Sequence, residues 1–212
     1  MVRCIDLTHP IGQDMPVFPG DPQPEIKEIM SLGKDMCTVQ SIRFNNHLGT
    51  HLDAPSHFVE DGKTVDQIPL QTLIGKATIL DFTDKNESDL ITKEDLQRHL
   101  HGKEQIVRVL IKTGWDRYFN SGSFYEDFPC LTHEAAEYLA SIKIRLLGMD
   151  TPSPSPLDDP GQAIHKTLLG AGIILLEAVA NLTSIEGNEC ELIVLPLPFT
   201  GFSGAPCRVV AK

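Results

Sequence analysis

The order of apolar and polar positions divides the chain into two unlike stretches. In the N-terminal third, strand-like alternation marks short extended segments at Cys4 to Leu7, Glu25 to Met30 and Cys37 to Asn46, because successive side chains of a strand face opposite ways. Between the first two runs Met15-Pro16-Val17-Phe18-Pro19-Gly20-Asp21-Pro22, whose prolines and glycine favour a loop. From about Ala77 the pattern changes. Apolar runs of strand length at Ala77 to Phe82, Ile106 to Lys112 and Ile144 to Met149 alternate with helical periodicity at Thr92 to Leu100 and Thr132 to Ser141. Thr92 and Thr132 stand where N-caps belong, since a threonine oxygen can accept from the amides of the first turn. A third helix, Gln162 to Leu169, precedes a strand at Gly172 to Leu176, and Leu192 to Leu195 and Arg208 to Ala211 close the sheet. This order predicts an α/β fold with a mixed β-sheet flanked by helices. The segment Asp150 to Gly161 is too rich in proline for regular structure and follows a strand end, where ordered functional loops sit.

At 212 residues and 41% hydrophobic content, the chain reads as one domain spanning 1–212. A net charge of -11 argues against nucleic acid or an anionic membrane surface as partner, because both require a basic patch. No apolar run approaches the ~20 residues that span a bilayer, and the first residues lack a signal-peptide pattern. The expectation is a soluble, cytoplasmic protein. Five scattered cysteines without a C-x-x-C spacing read as reduced, mostly buried small hydrophobes.

Three of the eight histidines fall within the eleven residues from His47 to His57, far above even scattering. His47, His51, Asp53 and His57 share parity, so an extended backbone points them to one side. Gly49 allows close approach to an ion, and Pro55 limits backbone freedom beside it. A single histidine is usually a hydrogen-bonded structural residue; a converging N, N, O and N set suits a borderline divalent ion, zinc or manganese.

The spacing His47-x-Gly-Thr-His51-x-Asp53-x-Pro-x-His57 resembles the H-x-G-T-H-x-D-x-P-x-H signature of the cyclase-like metal-dependent hydrolases, a family that includes bacterial kynurenine formamidase and isatin hydrolase. Gly148-Met149-Asp150-Thr151 is similar to the family's G-x-D-T segment, and His165 followed twelve residues later by Glu177 is similar to its second ligand region. An acid that closes the apolar run Ile173 to Leu176 is poorly placed unless paired or metal-bound.

The resemblance implies a swivelling β/β/α-like fold and a homo-oligomer, a homodimer or larger. It implies two zinc ions per chain, or manganese, with His47, His51 and Asp53 on one and Asp53, His165 and Glu177 on the other. Asp53 and Glu177 would bridge, and His57 would give and take protons. The implied activity is that of an arylformamidase, cleaving N-formyl-L-kynurenine to L-kynurenine and formate. Another cyclic amide, lactone or ester such as isatin is the alternative substrate, and a non-catalytic metal-dependent binding protein is the alternative class. The family carries an aromatic residue, commonly Trp, in a P-x-W-P-G-D loop that contacts substrate. Here the loop reads Pro16 to Asp21 with Phe18, which keeps a stacking face and loses the indole donor.

Other motifs are set aside. His133-Glu134-Ala135-Ala136-Glu137 lacks the second histidine of H-E-x-x-H and reads as an exposed helix start. Gly170-Ala171-Gly172 reads as a helix C-cap and turn, and His99 and His101 as residues of a polar helix end. No G-x-S-x-G elbow is present, so a covalent serine mechanism is not expected.

Overall fold

The structure, a computed structural model, describes residues 4–103 and 105–212. The first half contains β1 (Ile5–Asp6), β2 (Glu25–Met30), β3 (Val39–Arg43), β4 (His51–Asp53), the single turn α1 (Leu70–Leu73), β5 (Ile74–Asp81), β6 (Leu90–Ile91) and α2 (Lys93–Leu100). The second contains β7 (Arg108–Lys112), β8 (Cys130–Leu131), α3 (His133–Ser141), β9 (Leu146–Met149), α4 (Ala163–Gly170), β10 (Ile174–Glu177), β11 (Glu189–Pro196) and β12 (Gly204–Ala211).

Eight strands make one mixed sheet in the order β1-β12-β11-β5-β7-β9-β10-β4, and β4 also pairs with β12. The sheet therefore closes on itself, with the three residues of β4 as the last stave. β5, β7, β9 and β10 run parallel, and the pairings of β4, β11 and β12 are antiparallel. The continuous apolar runs of the parallel strands follow from burial on both faces. Leu110, Ile174 and Leu176 face the interior with Leu52, Leu192 and Val209. Their neighbours Val109, Ile111 and Leu175 face outward onto Leu96, Leu139 and Leu168 of α2, α3 and α4. Each such side chain fully withdrawn from water contributes about 1.5–3 kcal/mol. A third, aromatic cluster of Trp115, Phe119, Phe124 and Phe128 lies with Leu48 and Met15.

The caps fall where the threonines predict them: Thr92 Oγ1 accepts from Asp95 N at 3.2 Å and Thr132 Oγ1 from Ala135 N at 3.1 Å. Three features differ from the sequence reading. The run Cys37 to Asn46 shortens to β3, which pairs with β2 alone in a separate hairpin. The strand expected from Ala77 begins at Ile74, directly after α1. That turn has no local signature because its carbonyls are satisfied from afar: the buried Arg108 guanidinium donates to Gln71, Thr72, Ile74 and Lys76. The two-residue strands β6 and β8 pair only with each other and are too short for periodicity to reveal.

Candidate metal centre

The site is assembled at the β4 seam. His51 and Asp53 alternate with Leu52, which is buried in the barrel interior, so the shared-parity argument holds for this pair. It does not hold for the other two histidines. Gly49 at φ +57 turns the chain between His47 and β4, and Pro55–His57 is a 3-10 turn. His47 and His57 therefore converge through turns on either side of a short strand, rather than along one extended segment. Glu177 ends β10 directly opposite His51 in the antiparallel register, and His165 comes from the first turn of α4.

Inside the cluster, His47 Nδ1 donates to Asp53 Oδ1 at 2.6 Å. His51 Nε2 lies 3.3 Å from Asp53 Oδ1 and 3.4 Å from Glu177 Oε2. His165 Nε2 lies 3.3 Å from Glu177 Oε1. The outer ring nitrogens are engaged elsewhere. His51 Nδ1 donates to the Gly49 carbonyl at 2.8 Å, and His165 Nδ1 is 2.9 Å from Ser155 Oγ. Such partners hold each imidazole with Nε2 aimed inward, as around metal ligands. His51, Asp53, His165 and Glu177 are all buried.

Two buried carboxylates side by side are costly unless positive charge compensates them. Burial pushes Asp53 up, yet hydrogen bonds from His47 and His51 hold it well below the usual carboxylate range. Burial and the Asp53 charge raise Glu177, and His165 and His51 outweigh them to lower it. Burial opposes charge on His51 and His165 as well, yet the two carboxylates raise His51 well above its ordinary value, and Glu177 first among the acids raises His165. The two carboxylates thus make an electronegative centre, and the ligand atoms of His47, Asp53 and His57, and those of His51, Asp53 and Glu177, lie within 4.8 Å of one another, close enough to share a divalent ion. This grouping differs from the one implied by the resemblance, because His51 spans both carboxylates and His57 joins His47 and Asp53.

His57 stands apart electrically. Burial lowers its pKa, and the attraction of Asp53 and Glu177 does not restore it against the repulsion of His47 and His165. Its ring stacks on His47 with centroids 4.0 Å apart and meets Phe58 at 4.3 Å. A neutral, partly exposed imidazole beside a cation site can accept a proton.

The same side chains form one wall of a cavity of about 390 Å³, also lined by Phe18, Phe58, Tyr125, Pro156 and Leu157. Phe18 and Asp21 are brought together by a tight turn, with Asp21 N donating to the Phe18 carbonyl at 2.9 Å and Gly20 at φ +96. Phe18 is 43% exposed and meets Tyr125 edge-on at 6.0 Å. All seven residues singled out from sequence, Phe18, His47, His51, Asp53, His57, His165 and Glu177, line this one cavity.

Sequence reasoning missed several supports. Ser155 emerges from the proline-rich loop, whose place after a strand end was its signal. Ser203 lies 3.2 Å from His47 Nε2, and a Cβ on Gly204 would land on the His47 ring; neither has any local signature. Tyr125 was likewise unmarked. Asp150 of the G-x-D-T segment does not line the cavity. Fully buried, it accepts from Thr113 N, Thr113 Oγ1 and Gly114 N, tying the end of β9 to the loop after β7. Burial pushes it up to about 7 against those bonds.

The motifs set aside stay outside the cavity. His133 is exposed at the start of α3, and both ring nitrogens of His99 face backbone carbonyls of Asp95 and Asp81. Cys130, Cys190 and Cys207 are buried, which raises their thiols, Cys130 to about 12 and Cys190 to about 11. Cys4 and Cys37 are exposed and free.

The Cyclase family model, described as "Putative cyclase", matches residues 5–156. A kynurenine formamidase of Bacillus mycoides (strain KBAB4) is 36% identical over 214 residues, covering 99% of this chain and 97% of its own. Among solved structures, isatin hydrolase A from Labrenzia aggregata, bound to benzyl benzoate, aligns with a TM-score of 0.88 at 28% identity, covering 99% of this chain and 93% of the other. A potential metal-dependent hydrolase with cyclase activity aligns with a TM-score of 0.82 at 33% identity, covering 99% and 96%.

Proposed function

The chain belongs to the Cyclase family, and from that premise we propose that it is a metal-dependent amide hydrolase acting on carbon–nitrogen bonds other than peptide bonds, with an aryl formamide such as N-formyl-L-kynurenine as substrate. The observation that carries this reading is the wall of four imidazoles and two carboxylates, His51, Asp53, His165 and Glu177 buried and His47 and His57 partly so, facing a cavity that also holds Phe18, Phe58 and Tyr125.

In this reading His47, His51, Asp53, His165 and Glu177 would hold divalent ions, two zinc or manganese per chain, and the chemistry such ions supply when bound is Lewis acidity. Asp53 and Glu177 would supply the negative charge that offsets the ions. His57 takes the proton as water oxygen bonds to the formyl carbon. It returns that proton to the departing nitrogen as the C–N bond breaks, leaving formate and an arylamine. Proton transfer by a positioned side chain typically contributes about 10²–10⁴-fold. Phe18 and Tyr125 present ring edges and faces to the aryl group at the mouth.

The likeness to isatin hydrolase A supports a second reading, in which a cyclic amide such as isatin is opened by the same residues. The enzyme we propose works in the cytoplasm as a homo-oligomer; among the described residues no helix is long and apolar enough to cross a membrane. The test is metal analysis of the purified protein, followed by turnover of N-formylkynurenine and isatin before and after His57→Ala. Faster turnover of one substrate decides between the two readings. Tight metal binding without product from either would mark a binding protein, and a metal-free protein inert with added Zn²⁺ or Mn²⁺ would sink the proposal.

A further inference from the structure

A second cavity, of about 710 Å³, lies at the end of the sheet where β9 and β10 begin. The links from α3 to β9 and from α4 to β10 wall it, together with Thr72 of α1 and parts of the Pro55 to Lys63 loop. Ile174 opens β10 and lines this cavity, whereas Glu177 closes the same strand and lines the cavity of the metal centre. The two cavities share no lining residue.

The charge of this cavity runs against that of the chain. Acids outnumber Lys and Arg 29 to 18 overall, yet Lys63, Lys143 and Arg145 line the cavity and, among the described residues, no Asp or Glu does. Nor does any of the three meet a described carboxylate within ion-pair distance, unlike Lys27, Lys76, Lys85 and Arg208. Their repulsion is felt inside the fold: burial first, and then the like charge of Arg145, lower the Arg108 guanidinium that holds α1. Lys143 stands at φ +59 just after α3, a left-handed position where glycine is the usual residue, so this cation is kept at a cost to the backbone. Val59, Ile68, Ile144, Leu169 and Ile174 make much of the remaining lining apolar. Thr72 also lines the cavity and is only 8% exposed. Its hydroxyl has no hydrogen-bond partner among the described residues and can donate to a ligand oxygen.

We propose that this second cavity binds a small amphiphilic organic anion, its carboxylate or phosphate head held by Lys63, Lys143 and Arg145 and its apolar body packed against Ile68, Ile144 and Leu169. A neutral ring would leave three cations unpaired, and a bare inorganic anion would leave the apolar lining in water. Arg145 can present a two-pronged fork to either head, and the lysines add point charges. An apolar lining with a few convergent polar groups is the usual make-up of a small-molecule site. None of these residues takes part in the proposed hydrolysis, so either reading can fail without the other.

Isothermal titration of the full chain with four probes tests it: 2-naphthoate, 2-naphthyl phosphate, neutral 2-naphthalenemethanol and inorganic phosphate. The two aryl anions are expected to bind more tightly than the neutral alcohol and inorganic phosphate, and the tighter of the two identifies the head group. Lys143→Glu and Arg145→Glu, both at exposed positions, should each weaken aryl-anion binding about tenfold through the loss of a charge-assisted hydrogen bond, while Arg145→Lys keeps most of it. Ala171→Trp adds bulk at an exposed lining position without changing charge and should block the cavity. Circular dichroism of each variant should match the wild type. No binding of either aryl anion, equal binding of the neutral alcohol, or binding indifferent to Arg145→Glu or to Ala171→Trp would overturn the proposal.

Discussion

The inner wall of the cavity and its mouth are built on different principles. On the wall, His51, Asp53 and Glu177 sit on paired strands in fixed register, and the ring nitrogens of His51 and His165 that face away from the cluster are engaged by Gly49 and Ser155. At the mouth, Phe18 and Tyr125 come from loops and meet only edge-on. A donor set tolerates little displacement, whereas a ring that packs against a substrate can be exchanged for another ring. In the proposed reading, chemistry would be carried by groups on the sheet and on the turns and helix anchored beside it, and selectivity by the loops at the mouth.

The comparison is sharpest at His57. His57→Ala should lower kcat by about 10²–10⁴-fold while metal content, measured by atomic absorption, stays unchanged. Equal loss of metal would mean that His57 is a ligand and not a proton carrier. Because burial lowers its pKa below the ordinary 6.5, the ring stays neutral at pH 7. The acid limb of the kcat/KM profile should therefore lie below 6.5 and vanish in His57→Ala.

Gly204→Ala tests the wall from behind. The new Cβ would occupy the place of the His47 ring, so metal affinity or activity should fall about 10–100-fold, as for other disturbed ligand supports. Unchanged affinity would mean that His47 has room to move and that the wall is less rigid than argued.

Asp150→Asn reaches the scaffold without touching the cavity. The amide can accept fewer of the three donors now satisfied, and urea unfolding should show a loss of about 1–3 kcal/mol. The pH dependence has a definite sign. With a folded pKa raised to about 7 from 3.8, protonated Asp150 favours the folded state, so its contribution is full below 3.8 and is lost as pH rises toward 7. That slope should be missing in Asp150→Asn.

The smallest effect belongs to the mouth. Phe18→Ala should raise KM for an aryl substrate by about two- to tenfold, the worth of one aromatic contact, and leave kcat and metal content unchanged. A large fall in kcat would break the division between wall and mouth.

Much of this was legible in the sequence where the physics is local. Thr92 and Thr132 cap helices within their own first turns, and the strand-length apolar runs of β7 and β10 reflect burial on both faces. The density of histidines between His47 and His57 marked the centre, although the extended backbone inferred from their parity gave way to turns at Gly49 and Pro55. What stayed hidden depends on distant partners. α1 is held by Arg108, more than thirty residues away, and His47 is seated by Ser203 and Gly204 from the far end of the chain. His165, a lone histidine on a helix, became a candidate ligand only through resemblance, whereas Glu177 carried a weak signal of its own as an acid closing an apolar strand.

The three-residue β4 has a mechanical meaning beyond catalysis. It is the seam at which the barrel closes, and it carries His51 and Asp53 while its neighbour β10 carries Glu177. Ions gripping both strands would rivet that seam, and an ion present at 100 times its Kd adds about 2.7 kcal/mol to the folded state. Chelation should then lower the melting temperature as well as silence the enzyme, and amide exchange should quicken first along β4.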